Sequence, residues 1–283
     1  MLQPLQSNER FLANVTQARA DTEAFHLWWL GQSGYLVKWQ GHHLLLDPYL
    51  SDSLTQKYAT TDKPHVRMTE RVIAPEQLDF IDVVTSSHNH TDHLDAETLT
   101  PLWRVNPDLK LVIPEANRAF VADRLKIDPA FPIGLDDGVS ASVGAFRLTG
   151  IPAAHEALEQ DAAGHHQYLG YIIQFGPWTL YHSGDTVLYA GMVEKLRAWS
   201  IDVAFLPING RAPERRVAGN LDGPEAAQLA KAMGARLVIP GHYEMFEFNT
   251  ASPAEFVAEA QRLYQPYKVL RAGEHWRCAN QTP

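Results

Sequence analysis

The segment TSSHNHTDHLD (85–95) crowds His88, His90, Asp92 and His93 into six residues. Imidazole and carboxylate are the side chains that bind Zn²⁺, Mn²⁺ or Fe²⁺. The run before them, FIDVVTSS (80–87), reads as a strand. A loop leaving a strand can turn neighbouring side chains toward one point, whereas a straight strand sends them to opposite faces. The spacing therefore predicts a metal-binding loop. A solvated patch of surface histidines is the weaker reading, because isolated histidines rarely cluster so tightly without a ligand role. The chain has 13 histidines and a single cysteine, Cys278. That excludes an internal disulfide and a thiolate zinc cluster, so any transition metal must sit among His and carboxylates.

One loop does not close a site for two cations, and other strand ends supply candidates. His155 follows FRLTGI, Asp185 follows WTLYH, and His242 follows RLVIP. Each sits where an apolar run enters a Gly- or Ala-rich turn, the place where a rigid scaffold exposes functional groups. Singly each is weak, since a lone histidine is more often core or surface. In this order and placement they reinforce one another.

These residues need elements to hold them. Residues 1–24 read as a helical lead-in with little apolar periodicity. From Phe25 onward the aromatic and aliphatic runs of HLWWLGQSGYLVKWQGHHLLLDPYL break at Gly31, Gly34 and Gly41, which predicts consecutive short strands. Further strands are expected at 110–114 and 236–240, and helices at 94–105, 115–125 and 223–235. An internal echo links GYLVKWQGHHLLLDP (34–48) to GYIIQFGPWTLYHSGDT (170–186). Either hairpins in β-rich chains simply look alike, or two related halves each deliver an aspartate, Asp47 and Asp185, to a shared interface. Two face-to-face sheets with helices outside suit the alternation.

The 283 residues carry 24 Lys+Arg against 33 Asp+Glu, a formal charge of −9, with 45% hydrophobic residues. This is a globular composition. No low-complexity linker divides it, so one domain over 1–283 is expected. The acidic balance argues against an extended nucleic-acid partner. The polar N-terminus with its early proline predicts no signal peptide, and no apolar run reaches bilayer length. A cytoplasmic protein acting on a small molecule, with no membrane partner, is the expectation; a homo-oligomer is compatible with it.

The series Asp47, His88-x-His90-x-Asp92-His93, His155, Asp185, His242 resembles the five motifs of the metallo-β-lactamase-fold hydrolases and spans most of the chain. The resemblance implies an α/β fold, a four-layer αββα sandwich, with two divalent cations (Zn²⁺ or Mn²⁺) at one edge of the sheets. On that pattern His88, His90 and His155 hold the first cation, and Asp92, His93 and His242 the second. Asp185 bridges them, and Asp47 hydrogen-bonds to the ligand loop. HLWWLGQSGYLV, YHSGDT, LPINGR, GNLDGPEAAQLA and VIPGHYEMFEFN are similar to the L-ascorbate-6-phosphate lactonase branch. HNHTDHLD equally resembles the N-acyl-phosphatidylethanolamine phospholipase D branch. A β-lactamase proper of the commonest subclass would carry Cys where Asp185 stands.

The implied function is a metal-dependent hydrolase in which a metal-bridged hydroxide, oriented by Asp92 and Asp185, opens a small anionic lactone or ester. The alternative is a phosphodiesterase of phospholipase D-like or nuclease-like type. A metal-binding protein without activity is the third reading, and the full ligand set argues against it. Substrate-contact candidates are Asn209, Arg211 and Tyr243, although an exposed ion pair suits Arg211 equally well and packing is the commoner outcome for a tyrosine such as Tyr243. Asn220 is expected to cap a helix, Arg215 and Arg216 to be solvated, and Trp28 and Trp29 to be core. His165 and His166 are expected in a loop over the site, and His42 and His43 in a solvated hairpin turn.

Overall fold

The computed structural model describes residues 1–279. Helix α1 (Asn8–Ala18) leads into β1 (Ala24–Gly31), β2 (Gly34–Trp39), β3 (His42–Leu46) and the short α2 (Ser53–Lys57). There follow β4 (Val83–Thr85), α3 (Ala96–Val105), β5 (Lys110–Pro114), α4 (Arg118–Leu125) and β6 (Ile133–Leu135). The remainder runs β7 (Ser140–Val143), β8 (Phe146–Pro152), β9 (Leu169–Phe175), β10 (Trp178–His182), α5 (Met192–Arg197) and β11 (Val203–Pro207). It ends with α6 (Gly223–Met233), β12 (Leu237–Gly241), α7 (Ala254–Arg262) and β13 (His275–Ala279).

The strands form two mixed sheets flanked by helices, in the orders β13-β1-β2-β3-β4-β5-β6 and β12-β11-β10-β9-β8-β7. β1 and β2 are buried along their whole length, which explains why their sequences run apolar without alternation. Phe25 on β1 reaches across to the rings of Phe175 and Trp178 on the other sheet, at 5.6 and 5.0 Å between centroids. Trp28 and Trp29 are core, as their sequence context predicts. Lys38, wholly buried on β2, gives its ammonium to the Asp21 carbonyl, and burial lowers its pKa.

Both sheets share one plan. β1, β2 and β3 are antiparallel, and β4 and β5 continue in parallel; β8, β9 and β10 are antiparallel, and β11 and β12 continue in parallel. The two hairpins of the sequence echo are thus equivalent in their sheets, and Asp47 and Asp185 follow their last strands. The C-terminal ends of β3, β4, β8, β10 and β12 come together at one edge, which is where the candidate ligands lie.

Two local expectations are corrected. The β2–β3 turn is only Gln40 and Gly41, so His43 already belongs to β3, opposite Lys38, and is buried; only His42 is exposed. Asn220 does not cap α6. Asp222 does, in a capping box with Glu225, and Gly234 closes the helix in a left-handed conformation.

Candidate metal centre

β4 ends at Thr85 and the ligand loop begins at once. Within it His93 and Leu94 donate their backbone N–H groups to the His90 carbonyl, a tight turn that gathers the side chains. The loop is held from several sides: Ser86 Oγ donates to the His88 carbonyl, and Arg124 on α4 donates to the Asn89 and Leu94 carbonyls at 2.6 and 3.1 Å. It leaves through Asp95, which caps α3 and accepts from Thr98 Oγ1 at 2.5 Å. Gly184 is needed beneath it. With φ +59, a Cβ there would lie 2.6 Å from Ser87 Cβ.

Asp185 is the centre of the cluster. Its Oδ1 lies 3.3 Å from His93 Nε2; its Oδ2 lies 3.3 Å from His242 Nε2 and 3.7 Å from His155 Nε2. Asp92 Oδ2 is 3.6 Å from His242 Nε2 and 3.7 Å from His93 Nε2. Three overlapping sets of ligand atoms are close enough to share a cation: His88, His90 and His155; His88, His93 and Asp185; Asp92, His93 and His242.

The far nitrogens of three imidazoles are occupied by the scaffold, that of His88 by Ser87 Oγ at 3.0 Å. His155 Nδ1 bonds to the Gly219 carbonyl at 3.0 Å, and His93 Nδ1 to Asp47 Oδ2 at 2.7 Å, leaving each Nε2 lone pair directed into the cluster. Asp47 is fully buried and also accepts from Thr85 Oγ1 and the Ser87 N–H, at 2.8 and 3.2 Å. Asp47, Gln32 and His242 all have left-handed backbones, with φ of +36, +52 and +61. Such strain in non-glycine residues collects where a constellation of side chains is held against its own preference.

The donor chemistry fits divalent cations. His88 Nε2, His93 Nε2 and Asp185 Oδ1 are buried and have no hydrogen-bond partner, although buried polar atoms are nearly always partnered. Burial holds His88 well below its ordinary pKa, in the neutral form a cation requires. For Asp185 burial works toward protonation, but His242 and His93 outweigh it and keep the carboxyl well below its usual range. Burial likewise opposes the charge of His93, and there the carboxylates of Asp185 and Asp92 outweigh it, raising the imidazole well above its ordinary value. A proton therefore competes with a cation at His93.

The cluster floors a cleft of about 280 Å³ with Lys57, His65 and Arg124 among its other lining residues. Asn209, Arg211 and Tyr243 do not line it, which corrects their expected placement. Arg211 is exposed and paired with Glu225 at 2.5 Å. Tyr243 packs on Trp29 and donates its hydroxyl to the Leu270 carbonyl. Asn209 is buried in a side-chain amide chain with Asn220 and Asn249, 3.0 Å to each. Arg215, expected in solvent, is half-buried and donates to the Asn209 and Thr250 carbonyls, whereas Arg216 is exposed. His165 and His166 pair with Asp161 and Asp136 and do not line the cleft either.

Gln32 and His65 are among the site residues that escaped the sequence reading. Gln32, in the β1–β2 turn, donates Nε2 to Asp92 Oδ2 at 2.7 Å and lies 3.1 Å from His242 Nε2. Its only signal was a polar residue framed by Gly31 and Gly34. His65, in a polar stretch before Val66, carried no signal at all. Burial lowers its pKa, with Asp92 among the groups pulling the other way.

Two stacked mixed sheets with a His and Asp cluster at their common edge define the metallo-β-lactamase fold. The family description "Beta-lactamase superfamily domain" matches residues 42–243, more than half of the chain. A UPF0173 metal-dependent hydrolase of Opitutus terrae is 30% identical over 88% of this chain and 97% of its own. The chain belongs to this superfamily and is one of its metal-dependent hydrolases. Among solved structures, Igni18, a metallo hydrolase of Ignicoccus hospitalis, superposes with a TM-score of 0.65 at 23% identity, over 90% of this chain and 98% of its own. The isothiocyanate hydrolase from Delia radicum gut bacteria does so with a TM-score of 0.70 at 18% identity, over 90% and 99%. No helix among the described residues is long and apolar enough to cross a membrane.

Proposed function

We propose that the chain holds two divalent cations, Zn²⁺ or Mn²⁺, and hydrolyses a small anionic lactone or ester, the chemistry of the L-ascorbate-6-phosphate lactonase branch it resembles. The observation that carries this is the position of Asp185, with one oxygen toward His93 and the other toward His155 and His242. His88, His90 and His155 serve one cation, and Asp92, His93 and His242 the other, with Asp185 common to both. Bound divalent cations supply Lewis acidity and lower the pKa of water to about 7. Asp92 and Asp185 then act as acceptors that orient the attacking water. Gln32, by donating to Asp92 Oδ2, holds that carboxylate beside His242. Lys57 and Arg124 put two cations on the cleft walls, which supports an anionic substrate.

The test is elemental analysis together with turnover of lactones, carboxylic esters and bis-p-nitrophenyl phosphate, each with Mn²⁺ and with Zn²⁺. Lactone or ester turnover at two cations per chain is expected, and Asp185→Asn should cut it by at least about 10²-fold. Phosphodiester turnover alone would favour the phosphodiesterase reading. Full activity in Asp185→Asn with metal supplied would overturn the site.

A further inference from the structure

The cleft is lopsided. Its floor is imidazole and carboxylate, whereas one wall is made of rings: Tyr58, His65, Phe246 and Phe248. His65 stacks on Tyr58, with centroids 4.2 Å apart and planes at 20°. It meets Phe248 edge-on at 4.4 Å and Phe246 at 5.3 Å. Phe246 belongs to a small apolar cluster with Tyr49, Leu54 and Met245, separate from the main core, and Tyr58 and Phe248 pack against it. Tyr58, His65 and Phe248 are only half-buried, so their uncovered parts face the cleft beside Asp92 and His242.

The wall is assembled before any ligand arrives. His65 Nδ1–H donates to the Lys63 carbonyl at 3.1 Å, and the His65 carbonyl accepts from Thr55 Oγ1 at 2.7 Å. Arg67 ties the same segment to Asp52 at 2.7 Å and to the Thr69 carbonyl. A polyhydroxylated substrate laid on this wall would lose water from most of its hydroxyls and find only the Tyr58 hydroxyl and His65 Nε2 there as partners. A flat ring would gain stacked and edge contacts instead.

Resting on the lactone and ester reading, we propose that the Tyr58–His65–Phe248 wall is the subsite for an aryl group carried next to the scissile carbonyl. The preferred substrates are then aryl-fused or aryl-substituted lactones and esters rather than sugar-like ones.

Two arms test this on metal-loaded protein. In the first, binding of 3-phenylpropionate and of propionate is measured by calorimetry. The aryl acid should bind at least about tenfold more tightly. Phe248→Ala and Tyr58→Ala should each shrink that ratio at least about threefold while the metal content stays as in wild type. In the second, dihydrocoumarin and δ-valerolactone are compared. The ratio of their kcat/KM values in wild type, divided by the same ratio in Phe248→Ala, cancels intrinsic reactivity and should exceed about three. Equal binding of the two acids, or ratios unmoved by both variants, overturns the aryl subsite. If neither lactone is turned over, the lactone reading fails, and the calorimetric arm still decides the wall.

Discussion

Replacing Asp47 by Asn tests whether a carboxylate outside the ligand set tunes metal binding through His93. Asp47 Oδ2 accepts from His93 Nδ1 and from the Ser87 N–H, while Oδ1 accepts from the Thr85 hydroxyl. Asn has the same shape and tolerates the left-handed backbone at φ +36. Its carbonyl can stay on the His93 and Ser87 side, because the Thr85 hydroxyl can reverse and accept from the new amide. The geometry survives and the charge is lost. A charge-assisted hydrogen bond is about twice as strong as a neutral one. Partners of this kind typically contribute about 10- to 100-fold to metal affinity. We therefore expect Asp47→Asn to weaken the cation at Asp92, His93 and His242 by about 10- to 100-fold, with little change in the thermal midpoint. Asp47→Ala is a poorer probe. It strands the Thr85 hydroxyl and the Ser87 N–H, each costing about 1–3 kcal/mol when buried, so loss of fold and loss of metal would be confounded. The assay is chelator competition followed by cation content, beside thermal unfolding of the same samples. Competition curves for Asp47→Asn that superimpose on wild type would refute the reasoning.

Arg211→Met should leave KM within about twofold and cost no more than about 1 kcal/mol, because its partner is Glu225 at the helix start; a tenfold rise in KM would return Arg211 to the substrate. Burial holds the His43 imidazole down at about 4, against an ordinary value of 6.5. The unfolded chain thus takes up a proton before the folded one does. His43 should contribute a loss of at most about 3 kcal/mol in stability as pH falls from about 6.5 to 4. Denaturant unfolding across that range should be flatter in His43→Leu, and equal slopes would exclude His43 as a source. Gly184→Ala should cost about 2–4 kcal/mol, from overpacking against Ser87 and from a left-handed alanine; an unchanged melting temperature would show that the ligand loop yields freely.

Much of the candidate site was legible because each candidate ligand follows a strand apolar enough to announce itself. LVIPG before His242 and WTLYH before Asp185 are runs of five with four residues buried in each, and their ends could be read without knowing the sheets. The elements that escaped lack such a signal. β6 has three residues, and β13 pairs with β1 from the far end of the chain, a partnership no local pattern encodes. The strand-end rule also overreached. Asn209 and Tyr243 sit just past strand ends as the candidate ligands do, yet their polar atoms were already taken by Asn220, Asn249 and the Leu270 carbonyl. His65 shows the converse failure. Its meaning comes from rings at Tyr58, Phe246 and Phe248, brought together by two separate segments, so a single histidine in a polar stretch had nothing beside it to be read against.

The sequence echo gains a physical content at His93. Asp47 and Asp185 occupy equivalent places, each following the last strand of an antiparallel meander, and they meet the two nitrogens of one imidazole: Nδ1 at 2.7 Å and Nε2 at 3.3 Å. What separates them is the company they keep. Both oxygens of Asp47 are taken by scaffold donors from Thr85, Ser87 and His93, which leaves it no lone pair well placed for a cation. Asp185 keeps Oδ1 buried and unpartnered among imidazoles. Gly184 before it removes the side chain that would push the Ser87 loop away, whereas Asp47 follows Leu46, whose side chain is core. Two equivalent positions are thus divided by their neighbours into one carboxylate that orients and one that is free to bind. That division predicts an asymmetry: Asp185→Asn should lose cations from both sets, and Asp47→Asn from the His93 set alone.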